Sequence, residues 1–152
     1  YTREASIPRR TETLASPAQA SVSIPYGGYG LNDRFEPRNS ADKSMQFHNW
    51  WQCFGTEEWA QYEWDQPMTL TEASVYWLEL GHYDIDFQLP VSWRLEYKAG
   101  EKWLPVKNTD PYEIAKDKYC TVHFQPVRTK ALRLTAQLQE GKSAGILEWK
   151  VR

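Results

Sequence analysis

The usual core-forming side chains are scarce in this chain. Leu, Ile, Val and Phe together account for 29 of 152 residues, a share that signals disorder only when the net charge is also large. It is small: 18 basic against 20 acidic side chains leave a formal charge of −2. There is no run of Lys and Arg, and the isoelectric point lies near 6, which argues against a nucleic-acid partner, because phosphate binding needs a concentrated positive field. Uninterrupted apolar stretches are only a few residues long, far short of the ~20 that span a bilayer, so no membrane partner is expected. Residues 1–20 mix Arg, Glu, Thr and Pro without the apolar segment of a signal peptide, so the chain is expected to be a mature or excised piece.

Cysteine is equally sparse. Cys53 and Cys120 have neither the paired spacing of a zinc site nor that of a redox motif, and two unpaired thiols are favoured over one bridge. None of the four asparagines opens an Asn-x-Ser/Thr sequon. Gly27-Gly28-Tyr29-Gly30 lacks the Lys of a phosphate-binding loop. What the chain does have is eight Trp and nine Tyr, which bury large apolar areas while each keeps one polar handle. The sequence is that of one folded domain with an aromatic core.

Residues 1–17 carry Pro8, Pro17, Arg3, Arg9 and Arg10 with no sustained periodicity, which predicts a linker or extended strap outside the core. From residue 18 to 152 the pattern becomes short alternating runs between turn residues: 58–64, 73–78, 92–98, 119–124, 131–138 and 146–151. In Ser92-Trp93-Arg94-Leu95-Glu96-Tyr97-Lys98, Trp93, Leu95 and Tyr97 share one face and Arg94 and Glu96 the other. One dry face and one wet face predict antiparallel sheet. Ala99-Gly100-Glu101 reads as a tight hairpin, and residues 112–118 alone could form a turn or two of helix. The fold class is all-β, an antiparallel β-sandwich.

The order of Leu31-Asn32-Asp33, Trp59-Ala60-Gln61-Tyr62-Glu63-Trp64, Val75-Tyr76-Trp77, the run at 92–97, Trp103-Leu104-Pro105-Val106, Thr129-Lys130-Ala131-Leu132-Arg133-Leu134 and Gly145-Ile146-Leu147-Glu148-Trp149-Lys150-Val151 resembles the discoidin family, also called the coagulation-factor type C or galactose-binding-like domain. With Trp50-Trp51 and Gly55-Thr56-Glu57-Glu58-Trp59 it is most similar to the C-terminal module of bacterial β-L-arabinofuranosidase-like glycosidases. The resemblance covers residues 18–152. It implies a jelly-roll-like sandwich of about eight strands, a non-catalytic domain, a glycan partner from plant or host polysaccharide, and an adjacent glycoside hydrolase domain. A secreted, periplasmic or cell-surface location would follow.

Discoidin-like sugar-binding modules often hold a structural calcium ion between an early loop and a late Glu, which maps onto Asp33, Ser40 and Glu148. Calcium takes six to eight oxygen ligands, and the loop at 31–40 offers several. Arg34 stands where the family commonly has Gly, and an ordinary Asx turn around Asp33 is the alternative. For sugar, an aromatic ring packs on the C–H face while amide, carboxylate, His and Arg groups bond hydroxyls. Phe47-His48-Asn49-Trp50-Trp51-Gln52 and residues 80–88 carry both kinds of group, so the candidate ligand-binding set is His48, Asn49, Trp51, His82, Tyr83 and Asp84. Adjacent Trp50 and Trp51 on an extended segment cannot both point inward, whereas Trp59, Trp64, Trp77, Trp93 and Trp149 fall in strands and read as core or sheet-face packing. His123 reads the same way.

The carboxylates Asp84 and Asp86, or Glu57 and Glu58, lack any spacing that marks a glycosidase pair, and the three histidines are not spaced as metal ligands. The sequence therefore predicts a carbohydrate-binding module. The alternative is a purely structural domain whose aromatic loops dock on the catalytic domain. An adhesion or lipid-headgroup domain and an independent enzyme rank lower.

Overall fold

The computed structural model describes residues 11–82 and 85–152, with His82 and Ile85 described by their backbone alone. Nine strands are seen among them: β1 (Gln19–Val22), β2 (His48–Asn49), β3 (Glu57–Trp77), β4 (Leu80–His82), β5 (Ile85–Phe87), β6 (Ser92–Ala99), β7 (Lys102–Pro105), β8 (Tyr119–Gln137) and β9 (Gly145–Val151). Every strand pairing is antiparallel. This is the expected all-β sandwich with a jelly-roll-like course.

Two pairs of runs that the sequence separates are single strands. Residues 58–64 and 73–77 belong to β3, and residues 119–124 and 131–137 to β8, with Leu78 and Leu138 just beyond the strand ends. The first part of β3 pairs with β1 and with the end of β8, which also pairs with β6, while the last part of β3 pairs with β9 and the start of β8. Both long strands thus leave one layer and enter the other. Register shifts between Glu63 and Met68 and between Leu70 and Glu72 mark the crossing, since bulges are how strands turn such corners. The inward set on β3 accordingly changes from Ala60 and Tyr62 to Ala73, Val75 and Trp77. The β6–β7 hairpin turns at Gly100, whose φ of 64° is the left-handed conformation glycine tolerates.

Aromatic rings join the layers across the interior. Tyr62 stacks on Trp149 at 4.0 Å between centroids and donates its hydroxyl to the Trp149 carbonyl at 2.7 Å. Trp77 meets Trp93 edge-on at 5.7 Å, and Trp93 meets Tyr112 at 5.0 Å. These pairs fill the space that a core richer in Leu and Ile would occupy, and each adds roughly 0.5–1.5 kcal/mol beyond its area. Residues 112–118 form no helix. Their backbone and side chains are drawn into this cluster instead: the Glu113 carbonyl accepts Trp93 Nε1–H at 2.8 Å, and Tyr112 Oη accepts the Leu95 N–H.

The expected strap is corrected in part. Residues 1–10 lie outside the described residues, but residues 11–17 pack on the core: Ala15 is buried, the Leu14 N–H donates to the Val151 carbonyl and the Leu14 carbonyl accepts Trp64 Nε1–H at 2.7 Å. Here backbone hydrogen bonds to a strand terminus, rather than side-chain periodicity, hold the segment. Cys53 and Cys120 are both free.

Candidate functional site

The strand termini β1 end, β3 start, β6 start, β8 end and β9 start converge at one end of the sandwich, and backbone hydrogen bonds fix the loops between them. Residues 138–144 stand in the middle. Lys142 accepts from Gly55, Ala144 accepts from Trp50, and Ser143 both accepts from Gln88 and donates to Asp86. The two segments singled out from the sequence, 47–52 and 80–88, are therefore brought together on the same loop. The β4–β5 hairpin is closed on this side by the Lys142–Asp86 ion pair.

Within this end, adjacent Trp50 and Trp51 part company. Trp50 is buried, with Nε1 donating to the Trp59 carbonyl. Trp51 is 38% exposed, and its N–H is held by Asn49 Oδ1 at 3.1 Å, an Asx turn that sets the direction of the ring. Three rings that sequence reading missed share this exposure: Tyr26 at 68%, Tyr29 at 66% and Phe54 at 43%. Tyr26 and Tyr29 alternate with glycines in a loop that could have been read as a display element. Gly27 and Gly30 have φ of 130° and 80°, and a Cβ on Gly30 would lie 2.5 Å from the Gln46 carbonyl oxygen, so only glycine lets the loop sit this close to residues 46–48.

His48, expected to face a ligand, is instead buried and acts beneath the loop. Its Nδ1 accepts the Gly28 N–H at 2.9 Å, its ring packs edge-on against Trp50 at 4.7 Å, and Nε2 has no hydrogen-bond partner. Burial lowers its pKa to about 4, so the ring is neutral at neutral pH. The single-sequence signal could not show this, because a histidine between Phe and Asn reads equally well as a contact or a support. Tyr83 and Asp84 lie outside the described residues, and His82 is placed only as the last residue of β4, paired with Ile85.

The early-loop residues form a second constellation against β9. Glu148 is buried; one carboxylate oxygen accepts the Arg34 N–H at 3.1 Å, and Oε1 has no hydrogen-bond partner. Burial first, and then the neighbouring Asp33 carboxylate, push the Glu148 carboxyl up to about 10. Asp33 itself makes the Asx turn, accepting the Phe35 N–H, and Arg34 adopts φ of 73°, the conformation glycine would take there. Ser40 does not join them. Its Oγ accepts the Asp117 N–H at 2.7 Å and its N–H donates to Asp117 Oδ1 at 2.8 Å. A buried carboxylate oxygen without a donor, beside a second carboxylate, is the donor chemistry a hard cation satisfies. Among the described residues no group of three or more His, Cys, Asp or Glu side chains is arranged to hold a metal ion, so backbone carbonyls or water would have to complete such a shell.

No protein-family model matches the chain. Among solved structures, a chain of the Streptococcus pneumoniae β-galactosidase BgaA matches with a TM-score of 0.71 and 18% identity over 95% of both chains. The chitosan-binding module 1 of a chitosanase/glucanase from Paenibacillus sp. IK-5 matches with a TM-score of 0.59 and 15% identity over 93% of this chain and 99% of that one. A putative α-L-fucosidase from Bacteroides thetaiotaomicron matches at 0.61 and 16% identity, with 92% of this chain aligned to 28% of the fucosidase. At these identities the likeness is one of fold, and the fold is the all-β sandwich seen in carbohydrate-binding modules and in chains of bacterial glycosidases.

Proposed function

We propose that this chain is a non-catalytic carbohydrate-binding module of the discoidin type, accessory to a bacterial glycoside hydrolase that works outside the cytoplasm. The observation that carries the reading is the set of exposed rings Tyr26, Tyr29, Trp51 and Phe54 on the loops of one end. A pyranose offers an apolar C–H face and a rim of hydroxyls, so it gains by covering such rings while nearby amide and backbone groups bond the rim. Tyr and Trp also cost little conformational entropy when they bind, because each has only two side-chain torsions. Tethering this end to a hydrolase raises the local substrate concentration, so a weak site is sufficient. Plant or host polysaccharide is the ligand class, and Trp51 with Asn49 is the pair we place at the contact. His48 positions the loop from below.

Affinity electrophoresis of the isolated chain against a panel of neutral polysaccharides tests this. Retardation by at least one of them, lost in Trp51→Ala with the thermal transition kept, is the expected result. Absence of retardation by every polysaccharide, with the loop rings covered in the full-length enzyme, would establish the structural-domain alternative.

We also propose that Asp33 and Glu148 hold a structural calcium ion that ties residues 31–36 to β9. The ion would supply only charge compensation for the buried pair. Calcium must displace the Glu148 proton, so its stabilising effect should grow as pH rises from 6 to 9. Without the cation the sign is opposite: a carboxyl whose pKa is raised to about 10 on folding holds a proton that the unfolded chain releases above its ordinary value of 4.5, so stability falls as pH climbs from there toward 10. Thermal melts in calcium and in chelator across that range check both signs. Equal melting temperatures at pH 9, or a calcium response kept in Glu148→Gln, would refute the ion site.

A further inference from the structure

The layer containing β1, β3, β8, β6 and β7 turns one face outward, and three of its side chains form a stack on that face. The Arg133 guanidinium lies 4.4 Å from the Trp59 ring centroid and 4.3 Å from that of Trp103. An indole on each side fixes the plane of the guanidinium. Its Nε and Nη2 both donate to Gln61 Oε1, at 3.0 and 2.7 Å, which uses the side-on edge. The end-on edge, made of Nη1 and the second hydrogen of Nη2, has no hydrogen-bond partner among the described residues. Arg133 is half-buried on this face.

Charge on this face is unevenly spent. Arg94 is used by Glu57 at 3.0 Å and by Glu96 at 3.7 Å, so Glu96, the direct cross-strand neighbour of Arg133, acts on Arg133 only as a nearby charge while its ion pair is with Arg94. No carboxylate among the described residues comes within 4.0 Å of Arg133, nor of Lys98, whose Nζ lies 5.2 Å from the Trp103 ring. Two cations without a carboxylate partner among the described residues therefore flank one indole in a chain of net charge −2.

We propose that this face is a second binding site, in which the end-on fork of Arg133 takes a carboxylate of a uronate-bearing polysaccharide. A planar fork held between two rings is already ordered for the paired, parallel hydrogen bonds that a carboxylate accepts, and Lys98 supplies a second positive charge diagonally across the strands. A sugar acid presents that carboxylate beside a C–H face that the outer edges of Trp59 and Trp103 can cover. That the ligand is a polysaccharide rests on the carbohydrate reading above; that it carries a carboxylate rests on Arg133 alone.

The test is native affinity electrophoresis of the 152-residue chain in gels containing polygalacturonate, fully methyl-esterified polygalacturonate or poly-glutamate, with mobility referred to ligand-free gels. Retardation is expected in polygalacturonate and lost in its ester. Arg133→Gln should weaken it about tenfold or more, the scale of a charge-assisted pair, while Arg133→Lys, which keeps charge without the fork, should fail to restore it. If Arg133→Gln does not fold, Lys98→Gln, at a half-exposed position, reads the same site and should weaken retardation about threefold. The proposal is overturned by equal retardation in the ester, by unaltered binding in folded Arg133→Gln, by equal retardation in poly-glutamate, or by a Trp51→Ala variant that loses polygalacturonate as completely as Arg133→Gln does. Failure to bind any neutral polysaccharide would instead count against the loop-end site, because that experiment does not involve Arg133.

Discussion

Trp50 and Trp51 are one peptide bond apart and belong to different parts of the molecule. Trp50 is sealed against His48 with its indole N–H spent on a strand carbonyl, whereas Trp51 stands 38% exposed beside loops that display three further rings. The interior aromatic set, Tyr62, Trp77, Trp93 and Trp149, links two sheets. The rim set, Tyr26, Tyr29, Trp51 and Phe54, links nothing within the described chain that would require an aromatic ring. The same residue types therefore replace a missing aliphatic core in one region and remain available to a partner in the other.

Truncation separates the two regions most strongly. Trp50→Ala removes a fully buried indole, and large-to-small changes of this kind cost about 3–5 kcal/mol. The loss should appear as a shift of the urea midpoint with an unchanged slope. A loss below about 1 kcal/mol would mean that the site beneath the loops is loosely packed, and the division between frame and rim would collapse.

Acid tests the junction between them. His48 is lowered from 6.5 to about 4 by burial, so below 6.5 the unfolded chain binds a proton that the native ring refuses. Stability is then full above 6.5 and declines as pH falls toward 4, by about 3 kcal/mol in total. The protonated ring could no longer accept the Gly28 N–H at Nδ1, so the Tyr26–Tyr29 loop should loosen in the same window. Amide exchange at Gly28 that rises between pH 6.5 and 4 faster than intrinsic exchange predicts, and no longer does so in His48→Gln, is the expected signature. Unaltered melting over that range would place the ring nearer to solvent than its burial indicates.

The frame was legible in the sequence to the extent that periodicity reports it. Trp93-x-Leu95-x-Tyr97 and Leu132-x-Leu134-x-Ala136 announce their faces, and the structure buries Trp93, Leu95, Leu132, Leu134 and Ala136. Periodicity is silent where a strand changes layers, which is why β3 and β8 read as four strands: the bulges at 63–72 reverse the inward parity of β3, and in β8 the exposed residues Gln125, Pro126, Arg128 and Lys130 interrupt an inward set that keeps its parity from Val122 to Leu134. It is silent also about Leu14 and Ala15, which are fixed by backbone hydrogen bonds that leave no alternation. The candidate site was half legible. The doublet Trp50-Trp51 implies that one ring turns outward, but which one depends on His48 and on the Asn49 turn. Tyr26 and Tyr29 were hidden because a glycine-rich loop signals bending without saying what it carries. Asp33 and Glu148 are 115 positions apart, yet the family resemblance paired them; Ser40 belonged to Asp117, a partnership no motif records.

The smallest effect on stability is the most searching test of the rim. Tyr26 is 68% exposed, and substitutions away from packed or hydrogen-bonded positions stay within about 0.5 kcal/mol. Tyr26→Ala should therefore leave the urea midpoint nearly in place. Its loop is anchored through the backbone, by Gly28 on His48, rather than through the tyrosine ring. A free phenol ring that contributes nothing to folding still carries an unfavourable apolar exposure, and covering it is worth a fraction of the roughly 25 cal/mol per Å² that burial returns. Polysaccharide binding should then weaken severalfold in Tyr26→Ala while the fold is untouched. If the midpoint moves by more than about 1 kcal/mol instead, the ring is part of the frame, and Trp51 and Phe54 lose the neighbour that makes them a surface.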